Sequence, residues 1–178
     1  MGDMQKNAFT IIELMIALFI LSIGISGAFI VLRDISVASS ISTSRLTAVF
    51  LAQEGIEVIR NIRDYNWAKG VEWDTNIDET TDTRLQYDSD KFPDTDITSC
   101  GTAGHPCFLA VYPGEENGFF MCRSAGEFKR TITVEKKDLD GDGKDDKMHV
   151  ISEVEWQQQG KTFKIYAVED LYNWWRAY

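Results

Sequence analysis

One short acidic segment carries the residue pattern best suited to metal chemistry. Asp138, Asp140 and Asp142 stand at alternate positions of the run DLDGDGKDD, a glycine follows, and Asp146 falls at the ninth position. This order matches the first half of an EF-hand-type loop, in which carboxylates wrap a hard cation and the glycine permits a sharp turn. The predicted metal set is therefore Asp138, Asp140, Asp142 and Asp146 together with Lys144, and the predicted ion is Ca²⁺.

The same segment lacks one part of that motif. Position twelve is His149, where an EF-hand places a bidentate glutamate, and the flanking residues alternate as strands rather than helices. Two interpretations stay open: a calcium-binding loop in a β-hairpin, or a solvated acidic turn without metal. The aspartates of Asp138–Asp146 repel each other without a cation, so any site is expected to be weak and suited to millimolar extracellular calcium.

Three cysteines allow one disulfide and one remaining thiol. The loop CGTAGHPC contains turn-forming residues, so the predicted disulfide is Cys100–Cys107, with Cys107–Cys122 as the alternative. A zinc site is disfavoured, because the chain has two histidines and no C-x-x-C pair. The sequence also lacks a phosphate-binding glycine loop, a nucleophile elbow and a zincin helix, so no catalytic residues, organic cofactor or enzymatic activity are expected.

A long apolar run near the N-terminus is expected to determine where in the cell these candidate residues lie. Between Ile11 and Leu32, Glu13 is the only charged side chain. As a helix this run would span about 33 Å, enough to cross a hydrocarbon core of about 30 Å. It exceeds the apolar part of an ordinary secretory signal, so it is predicted to anchor the chain in a membrane, with the cysteine-bearing region outside the cytoplasm. The formal net charge of −10 over 178 residues disfavours direct nucleic-acid binding, because phosphate contacts need a basic face.

The start of the apolar run resembles a known processing motif. The residues AFTIIELMIA, Ala8–Ala17, are similar to the N-terminus of type IV pilins and type II secretion pseudopilins, in which a short polar leader and a small residue precede Phe-Thr, two hydrophobic residues and Glu. The resemblance implies that a prepilin peptidase cleaves between Ala8 and Phe9 on the cytoplasmic side, and that the new Phe9 terminus is N-methylated. The family normally has Gly before the Phe, where this chain has Ala8.

Glu13 is then the fifth residue of the mature chain, and the resemblance implies a role in assembly. A carboxylate at the centre of a membrane helix costs roughly 2.5–3.5 kcal/mol on insertion scales. The cleaved chain also carries a positive amine on Phe9, which is costly to bury without a partner. We therefore expect Glu13 to pair with the Phe9 amine of a neighbouring subunit in a filament.

The remaining sequence predicts the fold that follows this helix. Apolar residues at three- and four-residue steps continue the helix to about Asp64. The segment Leu51–Asp64 resembles the corresponding helix of PilV-type minor pilins and of GspI-type pseudopilins. From Phe108 onward, alternating segments and a hairpin turn at Gly160 predict three or four antiparallel strands. The predicted fold class is α+β, a pilin-like long N-terminal helix packed on a small antiparallel β-sheet head.

These elements divide the chain into four predicted segments: a leader at 1–8, a transmembrane or filament-core helix at 9–33, its amphipathic continuation at 34–64, and an extracytoplasmic head at 65–178. The resemblance implies a minor type IV pilin or pseudopilin that is held in the bacterial inner membrane and then assembled with other pilins at the cell surface. Assembly initiation, adhesion, secretion and DNA uptake all suit such a subunit. The alternative is a single-pass, membrane-anchored calcium-binding module that does not assemble.

Overall fold

The structure, a computed structural model, describes residues 10–97, 107–111, 120–123 and 125–174. The chain divides into two compact units, Met1–Thr43 and Ser44–Tyr178. Helix α1, Ile11–Lys69, contributes residues to both, and the strands belong to the second unit. The strands are β1 Thr81–Asp82, β2 Phe108–Val111, β3 Phe120–Arg123, β4 Phe128–Lys137, β5 Lys147–Gln158 and β6 Lys161–Tyr172.

Local hydrogen bonds set both ends of α1. At the start, the Glu13 N–H donates to the Thr10 hydroxyl oxygen at 3.3 Å, which is the bond expected of an N-cap threonine. At the end, Gly70 adopts φ 70°, its N–H donates to the Trp67 carbonyl, and the Val71 N–H donates to the Asn66 carbonyl. This pair of bonds is a Schellman motif, which needs a left-handed residue after the helix. The prediction that the helix ends at about Asp64 was therefore five residues short, because the glycine that stops it lies further along the chain.

The second unit contains one antiparallel sheet. The order of the described strands is β3-β2-β4-β5-β6, and the short strand β1 also pairs with β4. The β5–β6 hairpin turns through Gln159 and Gly160, both at positive φ (52° and 73°), as a two-residue turn of type I′ requires. The predicted hairpin turn is confirmed.

The helix segment from Ser44 onward packs on one face of this sheet. Small and aliphatic residues of α1, including Ala48, Ala52 and Ile59, are almost fully buried, as are Ile132 and Val150 of the central strands. Alternation along β4 and β5 places every second side chain toward the helix. The predicted α+β class, with a long N-terminal helix on a small antiparallel sheet, is confirmed.

Gly55 permits the closest approach between α1 and the sheet. A Cβ atom at this position would lie 2.7 Å from Ile132 Cδ1, 2.7 Å from the Ser152 hydroxyl oxygen and 3.1 Å from Arg130 Cδ. All three atoms belong to buried residues of the two central strands, which have little room to move. The helix can therefore pack at this depth only if the position lacks a side chain.

Gly55→Ala is expected to lower the free energy of unfolding of the second unit by about 1–3 kcal/mol, because it over-packs the helix–sheet contact. The sign of this change is informative, because a Gly-to-Ala substitution in a helix stabilises the protein by about 1 kcal/mol where space is available. Thermal unfolding of the full chain in detergent, followed by tryptophan circular dichroism, measures the change. Gly27→Ala is the matched control, because a Cβ there meets nothing within 4 Å. A Gly55→Ala protein as stable as wild type would contradict the prediction.

Candidate functional site

The first candidate site is the N-terminal part of α1, whose apolar side chains are exposed in this single chain. Ile11 is 81% exposed and Phe29 is 67% exposed. By length and composition alone, α1 contains a segment that could cross a membrane. The hydroxyl groups of Ser22 and Ser26 donate to helix carbonyls at 2.8 Å, so these serines need no external partner.

Glu13 differs from those serines. Its backbone N–H is capped by Thr10, but its carboxylate meets no hydrogen-bonding or charged group among the residues that the structure describes. The carboxylate is therefore available to a group from outside the chain. Ala8 and Phe9, the predicted cleavage and methylation residues, lie outside the described residues, so the predicted processing stays a prediction.

The second candidate site is the loop between β4 and β5. One carboxylate oxygen from each of Asp138, Asp140 and Asp146 lies within 4.8 Å of the others, a spacing that would suit ligands around one ion. Asp142 and Lys144 are not part of this group. The side chain of Asp142 accepts the Lys144 N–H at 2.8 Å, and the Lys144 ammonium lies 3.9 Å from Glu72. The loop geometry thus brings together three of the five predicted residues.

Backbone N–H groups organise the carboxylate of Asp138. Gly141 donates to it at 2.6 Å and Gly143 at 2.8 Å, both from left-handed conformations that glycine adopts readily. These bonds favour the charged form and hold the pKa of Asp138 below its usual range. Asp146 in turn accepts the Leu139 N–H at 2.8 Å, which closes the loop across its base. The loop therefore holds the Asp138 carboxylate in its charged form, facing the carboxylates of Asp140 and Asp146.

Residues far away in sequence fix the position of this loop. The indole N–H of Trp73 donates to the Asp145 carbonyl at 3.0 Å, and Lys136 forms an ion pair with Asp74 at the base of the loop. Burial raises the pKa of the Asp145 carboxyl above its usual range. No local sequence signal connects Trp73 with a loop 72 residues away.

The three cysteines are only partly described. Cys100 lies outside the described residues, so the predicted Cys100–Cys107 disulfide stays a prediction. Cys122 is a buried free thiol that donates to the Leu85 carbonyl at 3.2 Å, and this rules out the alternative Cys107–Cys122 pairing. Desolvation raises the pKa of the Cys122 thiol, as expected for an unreactive structural cysteine.

Comparison with known proteins bears on the first candidate site. Residues 3–29 match the family model described as the prokaryotic N-terminal methylation motif, which covers the predicted cleavage site and Glu13. Searches of curated proteins and of solved structures found no significant match. The motif and the long helix on a small antiparallel sheet together support a pilin-like or pseudopilin subunit that is processed by prepilin peptidase and anchored in a membrane through α1.

Proposed function

We propose that this chain is a minor type IV pilin or pseudopilin, a structural rather than catalytic subunit that enters a pilus or pseudopilus through α1. The observation that carries the proposal is the methylation motif at residues 3–29, which includes the exposed, apolar start of α1. Apolar side chains from Ile11 to Leu32 suit lipid before assembly and neighbouring helices after it, because both surroundings exclude water. The subunit would serve in assembly initiation, adhesion, secretion or DNA uptake.

Glu13 gives this assembly route its specificity. Its carboxylate has no partner among the described residues, and it lies four residues after Phe9, where cleavage would create a positive amine. A neighbouring subunit displaced along the filament axis would present that amine to Glu13. Pairing two opposite charges in an apolar environment offsets part of the cost of burying each one, and this favours a single axial register.

Processing at Ala8–Phe9 tests the proposal most directly. The protein, extracted from membranes of cells with an active prepilin peptidase, is expected to have lost eight residues and gained one methyl group on Phe9. Intact-mass spectrometry measures both changes, and cells without the peptidase provide the unprocessed control. An intact Met1 chain in the presence of the active peptidase would contradict the proposal and favour a permanent membrane anchor.

A second candidate function, calcium binding, rests on the convergence of Asp138, Asp140 and Asp146. We propose that these carboxylates bind Ca²⁺ with an affinity suited to millimolar concentrations, since the loop lacks the bidentate glutamate of an EF-hand. The backbone carbonyl at Lys144 occupies the position that supplies a main-chain ligand in such loops. A bound ion would fix the β4–β5 hairpin without changing the role of α1.

Calcium is expected to raise the melting temperature of the second unit, because a ligand that binds only the folded state adds about 2.7 kcal/mol at 100 times its Kd. Asp140→Asn is expected to weaken binding by about tenfold or more, since it removes one charge and retains the side-chain acceptor. Calorimetric titration with Ca²⁺ measures the affinity. Asp88→Asn, at an exposed aspartate outside the loop, is the control. Absence of both binding heat and thermal stabilisation would eliminate the calcium site and leave the pilin proposal intact.

A further inference from the structure

Among the residues that the structure describes, strand β6 has an open backbone edge. In the described part of the chain its neighbour is β5 alone, which it pairs with over its full length. The N–H of Asn173, directly after β6, donates to the Asp146 carbonyl at 2.9 Å. In an antiparallel pair, residues that bond to the neighbouring strand alternate with residues whose N–H and C=O groups face away from it. The Asn173 bond therefore shows which residues of β6 bond to β5. Odd-numbered residues of β6 bond to β5, and even-numbered residues direct their N–H and C=O groups away from the sheet.

The side chains follow the same alternation. Odd-numbered residues such as Phe163, Ile165 and Ala167 pack toward α1, whereas even-numbered side chains lie on the opposite face. Tyr166 and Val168 are 56% and 55% exposed at the middle of this edge. The outward-facing residues are Thr162, Lys164, Tyr166, Val168, Asp170 and Tyr172. A strand that is long, exposed and partly apolar is a template for pairing with another chain.

The two ends of the β6 edge carry different charges, so two antiparallel copies of this edge would be electrostatically complementary. Near one end, Lys164 lies 2.6 Å from Glu153 and 3.1 Å from Glu155, so the group carries a net negative charge. Near the other end, Asp170 lies 2.7 Å from Lys147 and 2.6 Å from His149, so that group is neutral or positive. An antiparallel second copy centred on Ala167 would bring these unlike ends together. It would place Lys164 opposite Asp170 of the second copy, and Tyr166 opposite Val168.

The helix-facing side of the edge also has room for an added strand. A groove runs between α1 and β6, lined by Phe50, Glu57, Arg60, Ala167 and Glu169 among others. Phe50 is 60% exposed there. The Glu169 carboxylate that faces the groove is already held by Arg60. The small side chain of Ala167 would lie next to the symmetry axis, on the helix-facing side.

We propose that β6 is a docking site for a second copy of this chain, through antiparallel pairing of the two β6 edges into one continuous sheet. Lys164 and Asp170 discourage pairing of this edge with an arbitrary strand, but in this register each meets a residue of opposite charge. Antiparallel pairing reverses the direction of the Ser44–Lys69 helix segment in the second copy. The contact therefore suits copies that approach from opposite sides, such as subunits on two separate filaments. This contact goes beyond the proposed pilin role and does not depend on it.

Cross-linking of the full chain in detergent tests this register. In the proposed pair the two Ala167 residues form a non-hydrogen-bonded pair, whose Cα atoms are about 4.5 Å apart, within the range of a disulfide. Oxidised Ala167→Cys protein is therefore expected to form covalent dimers at least about tenfold above the Thr162→Cys control, whose cysteines would lie roughly 33 Å apart. Both variants retain the three native cysteines, so wild type gives the background. Equal yields from the two variants would overturn the proposal.

A second pair of variants distinguishes dimers that form through the β6 edge from dimers that form through other contacts. Val168→Pro removes an outward N–H without breaking a bond to β5, and it is expected to reduce the Ala167→Cys cross-link by about tenfold. Val168→Ala keeps the N–H and is expected to retain the cross-link. If Val168→Pro disturbs the head, as shown by near-ultraviolet circular dichroism, Lys164→Glu replaces it, because it places a glutamate opposite Asp170 of the second copy. A cross-link that persists in the edge-blocking variant would show that β6 does not pair.

Discussion

Glu13→Leu is expected to reduce incorporation of this chain into filaments by roughly 30- to 100-fold, although the protein still reaches the membrane. The expected size follows from the cost of an unpaired ion near the end of an apolar helix, about 2–3 kcal/mol and so slightly below the cost at the helix centre, at 1.4 kcal/mol for each tenfold change. Without the carboxylate, the Phe9 amine of the adjacent subunit would enter the filament core unpaired. Immunoblots of sheared filaments against the membrane pool measure the ratio.

Two further variants separate the charge of Glu13 from its size and polarity. Glu13→Gln keeps the shape and removes the charge, so it is expected to lose most of the incorporation as well. Ser26→Leu removes a polar group from the same helix, but the Ser26 hydroxyl is already bonded to the Ser22 carbonyl, so incorporation is expected to stay near wild type. Glu13→Leu protein that enters filaments as efficiently as wild type would refute the pairing of Glu13 with Phe9.

Arg130→Ala is expected to lower the free energy of unfolding of the second unit by about 3–5 kcal/mol, since it breaks a partly buried ion pair, leaves two buried carbonyl groups without a donor and creates a cavity. The Arg130 side chain is 1% exposed. One terminal nitrogen donates to the Leu51 carbonyl and to the Glu54 carboxylate, both at 2.9 Å, and the other donates to the Leu85 carbonyl at 2.8 Å. One guanidinium therefore connects the helix, the sheet and the segment that follows α1.

Tryptophan circular dichroism follows this unfolding well, because all five tryptophans lie at position 67 or later. Lys129→Ala is the matched control, because its side chain lies on the other face of β4 and is only half-buried. Its effect is expected to stay within about 0.5 kcal/mol. A loss below about 1 kcal/mol for Arg130→Ala, against this control, would mean that the network contributes little to stability.

Much of the fold follows from local patterns. The apolar run, the three- and four-residue steps and the alternating segments specify helix and strands because each pattern repeats the period of its element. The alternation also places Arg130 on the same side of β4 as Ile132 and Val134. Strands β1 and β3 were not predicted, because two and four residues are too short to show a period of two.

Some features of the candidate sites also follow from local sequence, whereas others depend on tertiary packing. Phe9, Glu13 and the aspartate loop could be identified from sequence, because their chemistry depends on residues within a few positions of one another. Tertiary packing alone decided the other features: the position of Trp73 against the aspartate loop, the network around Arg130, the close approach at Gly55 and the open edge of β6. Each depends on contacts between distant segments, which no local period encodes. The sequence by itself therefore determined the anchor and the candidate ligands, whereas the packing of helix on sheet decided which surfaces are left for a partner.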